Sequence, residues 1–94
     1  MTYKEVFHPK IKSDLKKLSK SVVEEIKNRH LDIISLNPLE NKKLKGNLSN
    51  LYSYHFRNSR VEYRIVYDIR ESEIIFYYMM AKRENFYKNI QSRI

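Results

Sequence analysis

The hydrophobic period of this chain changes from helical to alternating near its middle. From residue 11 to about residue 36, apolar side chains recur every three or four positions. From residue 51 to about residue 69 they alternate. A chain with such a switch builds most of its helix before most of its sheet. In Leu51–Arg57, Tyr52, Tyr54 and Phe56 share one face, and Ser53, His55 and Arg57 share the other. In Val61–Ile69 the odd positions Val61, Tyr63, Ile65, Tyr67 and Ile69 face one way, with Glu62, Arg64, Val66 and Asp68 opposite. Ile74–Ala81 is apolar throughout, the pattern of a strand covered on both sides. Arg70-Glu71-Ser72-Glu73 is the turn before it.

The first half reads as a strand followed by a helical hairpin. Tyr3 to Phe7 alternates, and His8-Pro9 ends it, with Pro9 suited to the first turn of a helix. Ile11, Leu15 and Leu18 stripe that helix. Ser19 or Ser21 caps the next, and Glu24 stands three residues after Ser21, as a capping box requires. Val22, Val23, Ile26, His30, Ile33 and Ile34 form its apolar stripe, and Asn37-Pro38 stops it. Residues 37–50 are a polar, basic connection holding the only glycine, Gly46. Glu84–Ile94 has Phe86, Ile90 and Ile94 at helical spacing. The expected fold is α+β, in the order β-α-α-β-β-β-α. It is a small, twisted, mostly antiparallel four-stranded sheet, with the hairpin on one face and a short C-terminal helix. Its other face is then free for function. Residues 1–94 make a single domain.

Composition narrows the chemistry. Nineteen Lys and Arg against eleven Asp and Glu leave a formal charge of +8. The excess is concentrated. Residues 41–70 carry Lys42, Lys43, Lys45, Arg57, Arg60, Arg64 and Arg70 against only Glu62 and Asp68. Tyr52, Tyr54, Tyr63 and Tyr67 are interleaved with them. Cations neutralise phosphates and rings stack on unpaired bases, so this mixture suits RNA; an acidic protein or a membrane surface is the other class of partner it fits. The absence of cysteine removes disulfide, thiolate-metal and thiol chemistry. No run approaches the roughly 18 apolar residues of a membrane span. The first residues lack an apolar signal core, which points to the cytoplasm. His8, His30 and His55 fall on three different elements without metal-ligand spacing, and there is no Gly-rich phosphate loop, so no metal or cofactor is expected.

A cationic constellation remains. Ser53, His55 and Arg57 share a strand face, Arg64 lies on the next strand, Arg83 ends the last, and Tyr87 follows one helical turn later. Arginine's planar fork suits phosphate. Cleavage by an RNA 2′-hydroxyl builds negative charge on the phosphorus oxygens, which fixed cations stabilise. His55 is the one group on this face with a reference pKa near neutrality, about 6.5. Lys43, Lys45, Ser53, Arg57, Arg60 and Lys82 are the accompanying candidates for phosphate contact. Each has an ordinary alternative. Arg64 can pair with Glu62 or Asp68, His55 can be a sheet-surface residue, and Tyr87 can be core packing.

Three segments taken in order resemble the RelE/ParE superfamily of toxins from type II toxin–antitoxin modules. They are Lys43-Leu44-Lys45-Gly46 with Leu51-Tyr52-Ser53-Tyr54; Glu62-Tyr63-Arg64-Ile65-Val66-Tyr67-Asp68-Ile69; and Lys82-Arg83-Glu84-Asn85-Phe86-Tyr87. Phe7 to Leu18 is also similar to the family's first helix. The resemblance implies a RelE-type ribonuclease that cuts mRNA in the ribosomal A site, without a metal, through the 2′-hydroxyl. It implies that an antitoxin wraps and neutralises the toxin, with an acidic face where it meets this groove. By the same resemblance Arg64 contacts the phosphate at the cut, Arg83 is another phosphate or leaving-group contact, and Tyr87 stacks on or orients a base. The spacing from Arg83 to Tyr87 is two residues shorter than in the bacterial RelE branch. That branch carries two strand lysines where this chain has Ser53 and His55, so His55 is the candidate proton carrier. Two other readings share the fold: a ParE-like inhibitor of DNA gyrase without nuclease chemistry, and a catalytically dead relative that binds DNA or antitoxin.

Overall fold

The alternating segment Val61–Arg70 becomes the longest strand and one of the two longest neighbours at the middle of the sheet. The computed structural model describes residues 3–84 and 86–94, the side chain of Tyr87 excepted. The chain runs β1 (Lys4–Phe7), α1 (Ile11–Lys16), α2 (Lys20–Glu25), a π-helical turn (Ile26–His30), α3 (Leu31–Leu36), β2 (Lys42–Lys43), β3 (Tyr52–Asn58), β4 (Val61–Arg70), β5 (Ile74–Lys82) and α4 (Phe86–Gln91). The helical residues 20–36 are continuous. Ser19 caps them, its side chain accepting from the Val22 N–H at 3.3 Å, so Ser21 is not the cap. They end at Asn37, before Pro38. Pro9 stands in the turn ahead of α1, where the His8 ring accepts from the Lys10 N–H.

The sheet has five strands where the sequence points to four, in the order β1-β5-β4-β3-β2. The additional strand is β2, which pairs Lys42 with Ser53 and Lys43 with Tyr52. Two residues are too few to show a period, so the sequence reads them as connection. The sheet is mixed: β1 lies parallel to β5, and the other three pairings are antiparallel. Ser59 and Arg60 close the β3–β4 hairpin with φ of 51° and 70°, the left-handed pair of a two-residue turn. A bulge between β4 and β5 leaves Tyr78 as an extra residue, since Met79 faces Val66 and Tyr77 faces Tyr67.

Both faces of the sheet hold a core. On the first, Ile11, Val22, Ile26 and Ile34 of the helical hairpin pack on Tyr52, Phe56, Tyr63, Ile65, Tyr67 and Tyr77. On the second, Val66, Tyr78 and Met79 are covered by Leu44, Leu48 and Leu51 of the loop and by Phe86 and Ile90 of α4. The second face is therefore only half free, a correction to the expectation from sequence. The apolar stripe of α4 and the leucines of the basic loop bury one half of it and leave the other open.

Beyond Tyr77, β5 outruns its parallel neighbour. Two side chains take the place of the missing strand. Asp14 of α1 accepts from the Met80 N–H at 3.0 Å, and Arg93 donates to the Tyr78 carbonyl at 2.9 Å. Arg93 and Asp14 also form a double ion pair, with Nη2 and Oδ1 2.6 Å apart. This pair satisfies backbone groups that an open edge would leave exposed, and it fastens the turn after α4 to α1.

Candidate functional site

Period-two geometry brings the sequence candidates together on the open half of the second face. His55 on β3 stands directly across from Arg64 on β4, and Arg57 stands across from Glu62. On the other side Arg64 pairs with Ala81, which packs against the second core. The Arg83 N–H donates to the Glu62 carbonyl at 3.1 Å, which carries the ladder one residue past β5 and sets Arg83 beside Glu62 on the same face. Ser53, two residues before His55, accepts or donates at 2.9 Å between its Oγ and the His55 Nε2.

Arg64 is the anchor of the group. Its side chain is 13% exposed, with the Phe86 ring 4.7 Å from the guanidinium carbon. Aromatic contact of this kind holds a cation while leaving its edge available. Its Nε is buried and makes no hydrogen bond among the described residues. Arg83 is the opposite case, with 67% of its side chain exposed. Between the two lies one carboxylate oxygen. Glu62 Oε2 is 3.7 Å from Arg64 Nε and 3.6 Å from Arg83 Nε, in ion-pair range of both and longer than a good hydrogen bond.

The His55 imidazole is held below its usual pKa, first by burial and then by the neighbouring Arg64 cation, with Lys42 and Arg83 adding to the effect and Glu62 opposing it. At neutral pH the ring is therefore uncharged and can accept a proton.

Not every candidate reaches this place. The β2 register sets Lys42 opposite Ser53 on the site face and Lys43 opposite Tyr52 on the hairpin face, where its ammonium lies 5.4 Å from the Tyr52 ring. Lys82 pairs with Tyr63, which also turns it to the hairpin face. Lys45 is exposed on the loop that covers the other half, and Arg60 is exposed in the β3–β4 turn. Tyr87 lies in α4, and its side chain lies outside the described residues. Among the described residues no group of three or more His, Cys, Asp and Glu could hold a metal ion.

A family model described as the ParE-like toxin of type II bacterial toxin–antitoxin systems matches residues 6–91. The chain belongs to this toxin family. It is the toxin of a type II toxin–antitoxin module with a RelE-like fold. Among solved structures, it is similar to free E. coli toxin RelE with two arginines replaced by alanine. That match has 26% identity and a TM-score of 0.75, covering 99% of this chain and 94% of the other. The intact E. coli RelBE toxin–antitoxin complex matches at 26% identity and TM-score 0.67, covering 87% of this chain and 98% of that one. The Mycobacterium tuberculosis RelBE2 complex matches at 22% identity and TM-score 0.74 over 88% of this chain and all of that one, a likeness of fold. No curated protein matches the chain. No helix of the toxin among the described residues is long and apolar enough to cross a membrane.

Three residues around Arg64 have placements that a reading of the sequence does not show. Glu62 shares a face with Arg64 by simple alternation, so its signal was present, but nothing indicated that Arg83 would approach the same oxygen. Lys42 depends on the register of a two-residue strand, which carries no pattern. Phe86 reads as core, and it is core; its second role under Arg64 comes only from the way α4 folds back.

Proposed function

We propose that this toxin is a metal-independent, ribosome-dependent mRNA endoribonuclease that acts in the cytoplasm through the RNA 2′-hydroxyl and so inhibits translation. The observation that carries this reading is the convergence of Arg64, Arg83 and a neutral His55 on one open half-face. The likeness to RelE supports it.

The residues divide the chemistry as follows. Arg64 and Arg83 bind the non-bridging oxygens of the scissile phosphate and stabilise the charge that gathers there. In the tautomer that donates Nε2–H to Ser53, Nδ1 is left as the base. The 2′-oxygen attacks phosphorus as its proton passes to Nδ1. The bond to the 5′-oxygen breaks, that oxygen takes a proton from water, and the hydroxide left takes the proton from Nδ1, which restores the base. The products are a 2′,3′-cyclic phosphate and a 5′-hydroxyl end. Tyr87 stacks on or orients a base of the substrate, and Arg57 extends the cationic surface along β3. The ribosome presents the strand in its A site. An antitoxin with an acidic face complements the basic surface and neutralises the toxin; structural relatives occur in complex with the antitoxin RelB or a peptide of it.

The test is to induce the wild type and the Arg64→Ala/Arg83→Ala variant and map mRNA ends across translated messages. Cuts within codons, ending in 2′,3′-cyclic phosphate and absent from the variant, are expected. A 2′-deoxynucleotide at the cut position of a message on programmed ribosomes should block cleavage. Growth arrest with intact mRNA would overturn the reading and direct attention to DNA supercoiling, the target of a ParE-like gyrase inhibitor.

A further inference from the structure

The carboxylate of Glu62 lies where a phosphate ought to go. A cationic site that works on RNA needs its arginines available, yet here one oxygen stands between Arg64 Nε at 3.7 Å and Arg83 Nε at 3.6 Å. The two arginines converge on it from different elements, one from the middle of β4 and one from beyond the end of β5. Neither contact is a hydrogen bond of good length. The Arg64 Nε is buried and still has no hydrogen-bond partner among the described residues. A buried donor in that state gains from any acceptor that comes closer. Glu62 is on a strand surface and its side chain is 26% exposed, so it has solvent to swing into.

We infer that Glu62 is a specificity-determining residue of this toxin: its carboxylate occupies the phosphate seat between Arg64 and Arg83, and an RNA phosphate must displace it to bind. This inference rests on the nuclease reading for the identity of the incoming group, a phosphodiester, and goes beyond it in assigning a gate. The two anions compete for the same pair of guanidiniums. A loose strand of RNA in solution offers one phosphate at low local concentration and loses to the tethered carboxylate. A strand fixed in position presents its phosphate at high effective concentration and wins. The discrimination between free and presented RNA is thereby built into the toxin and is not left to the ribosome alone. The weak ion-pair distances are part of the device, since a carboxylate bound tightly by both forks would shut the site.

The probe is inorganic phosphate, read through the Nε–H signals of Arg64 and Arg83 in nuclear magnetic resonance titrations of the full chain. Glu62→Gln keeps the shape and removes the charge. It should bind phosphate at least about five-fold more tightly than the wild type, with the Arg64 Nε–H moving on binding. Glu62→Asp, one methylene shorter, draws the oxygen back and should fall between the two; it also covers the case in which the first variant folds poorly. Binding of a short single-stranded RNA should rise in the same order. Equal or weaker phosphate binding in both variants would overturn the inference and make Glu62 a support for Arg64. The readout does not involve cleavage, so the two readings can fail separately. A gain in phosphate affinity with no mRNA cut by any form would keep the gate and sink the nuclease. Cleavage that depends on Arg64, with no gain in affinity, would do the reverse.

Discussion

Arg64 shows how much a single side chain can be asked to do. It is held by the Phe86 ring, faces His55 across the ladder and has its Nε buried without a hydrogen bond among the described residues. Replacing it with alanine should lower single-turnover cleavage on programmed ribosomes by about 10²–10³-fold, the usual effect of removing one fixed donor to a developing anion. Lysine should not restore the rate, because an ammonium lacks the planar fork. His55 makes a second prediction. Burial and the nearby cations depress its folded pKa, and an imidazole acts as a base only in its neutral form. The cleavage rate should fall as pH drops through a value below 6.5 and be level above it. His55→Ala should flatten that acid limb; a wild-type limb that persists unchanged in the variant would remove His55 from proton transfer. Alternation alone put Ser53, His55 and Arg57 on one side of their strand, because side-chain direction in a strand has period two, and the β3–β4 register then sets Arg64 across from His55. It could not tell which of Lys42 and Lys43 joins them, because that depends on a register fixed only in three dimensions.

At the scale of elements, the helix over residues 20–36 carries an irregularity with a clear use. The π-helical turn Ile26–His30 places the His30 ring in the first core, stacked on Phe56 at 4.0 Å. Both ring nitrogens have partners there: Tyr54 Oη at 2.7 Å and Glu25 Oε2 at 2.6 Å. Glu25 also accepts from Asn58 at 2.7 Å, so the turn ties the long helix to the last residue of β3, beside the β3–β4 turn. Its two bonds to His30 and Asn58 hold the Glu25 carboxyl below its usual range. His30→Ala should cost about 2–4 kcal/mol in urea unfolding, since it empties a packed ring site and strips partners from Tyr54 and Glu25. His30→Phe should keep the packing, lose the bonds and cost less. The sequence showed that His30 belongs to an apolar stripe, and it does. It gave no hint of the extra residue in the turn, because a π-helical insertion shifts the phase by one position in a stripe too short to register it. The strands were more legible than the helices because the buried faces of β4 and β5 are long enough to repeat their pattern.

For the whole molecule, the decisive arrangement is a sheet with a core on each face and a polar clasp at its edge. The sequence foretold the first core from the helical hairpin. The second was hidden because the leucines of residues 44–51 lie in a segment dominated by lysine and asparagine. The clasp of Asp14 and Arg93 joins residues 79 positions apart and could not be read from spacing. Arg93→Ala leaves the Asp14 carboxylate buried without its cation, and should cost about 3–5 kcal/mol in stability. It should also loosen α4, and with it the Phe86 ring beneath Arg64, so a fall in cleavage larger than the unfolded fraction explains is expected.

The parallel placement of β1 has a consequence for the order in which the toxin assembles. Lys4 sits beside Ile74, 70 residues further along. The turns joining β3, β4 and β5 are two and three residues long. Short closures form on microsecond timescales, whereas a contact across most of the chain waits until the intervening segment has collapsed. The three long strands should therefore form first, with β1 the last to zip into place and the first to breathe. Its amides should exchange with deuterium well ahead of those of Ile65 and Val66. No side chain of the His55, Arg64 and Arg83 group belongs to β1, so a molecule caught with that strand detached should keep the group assembled.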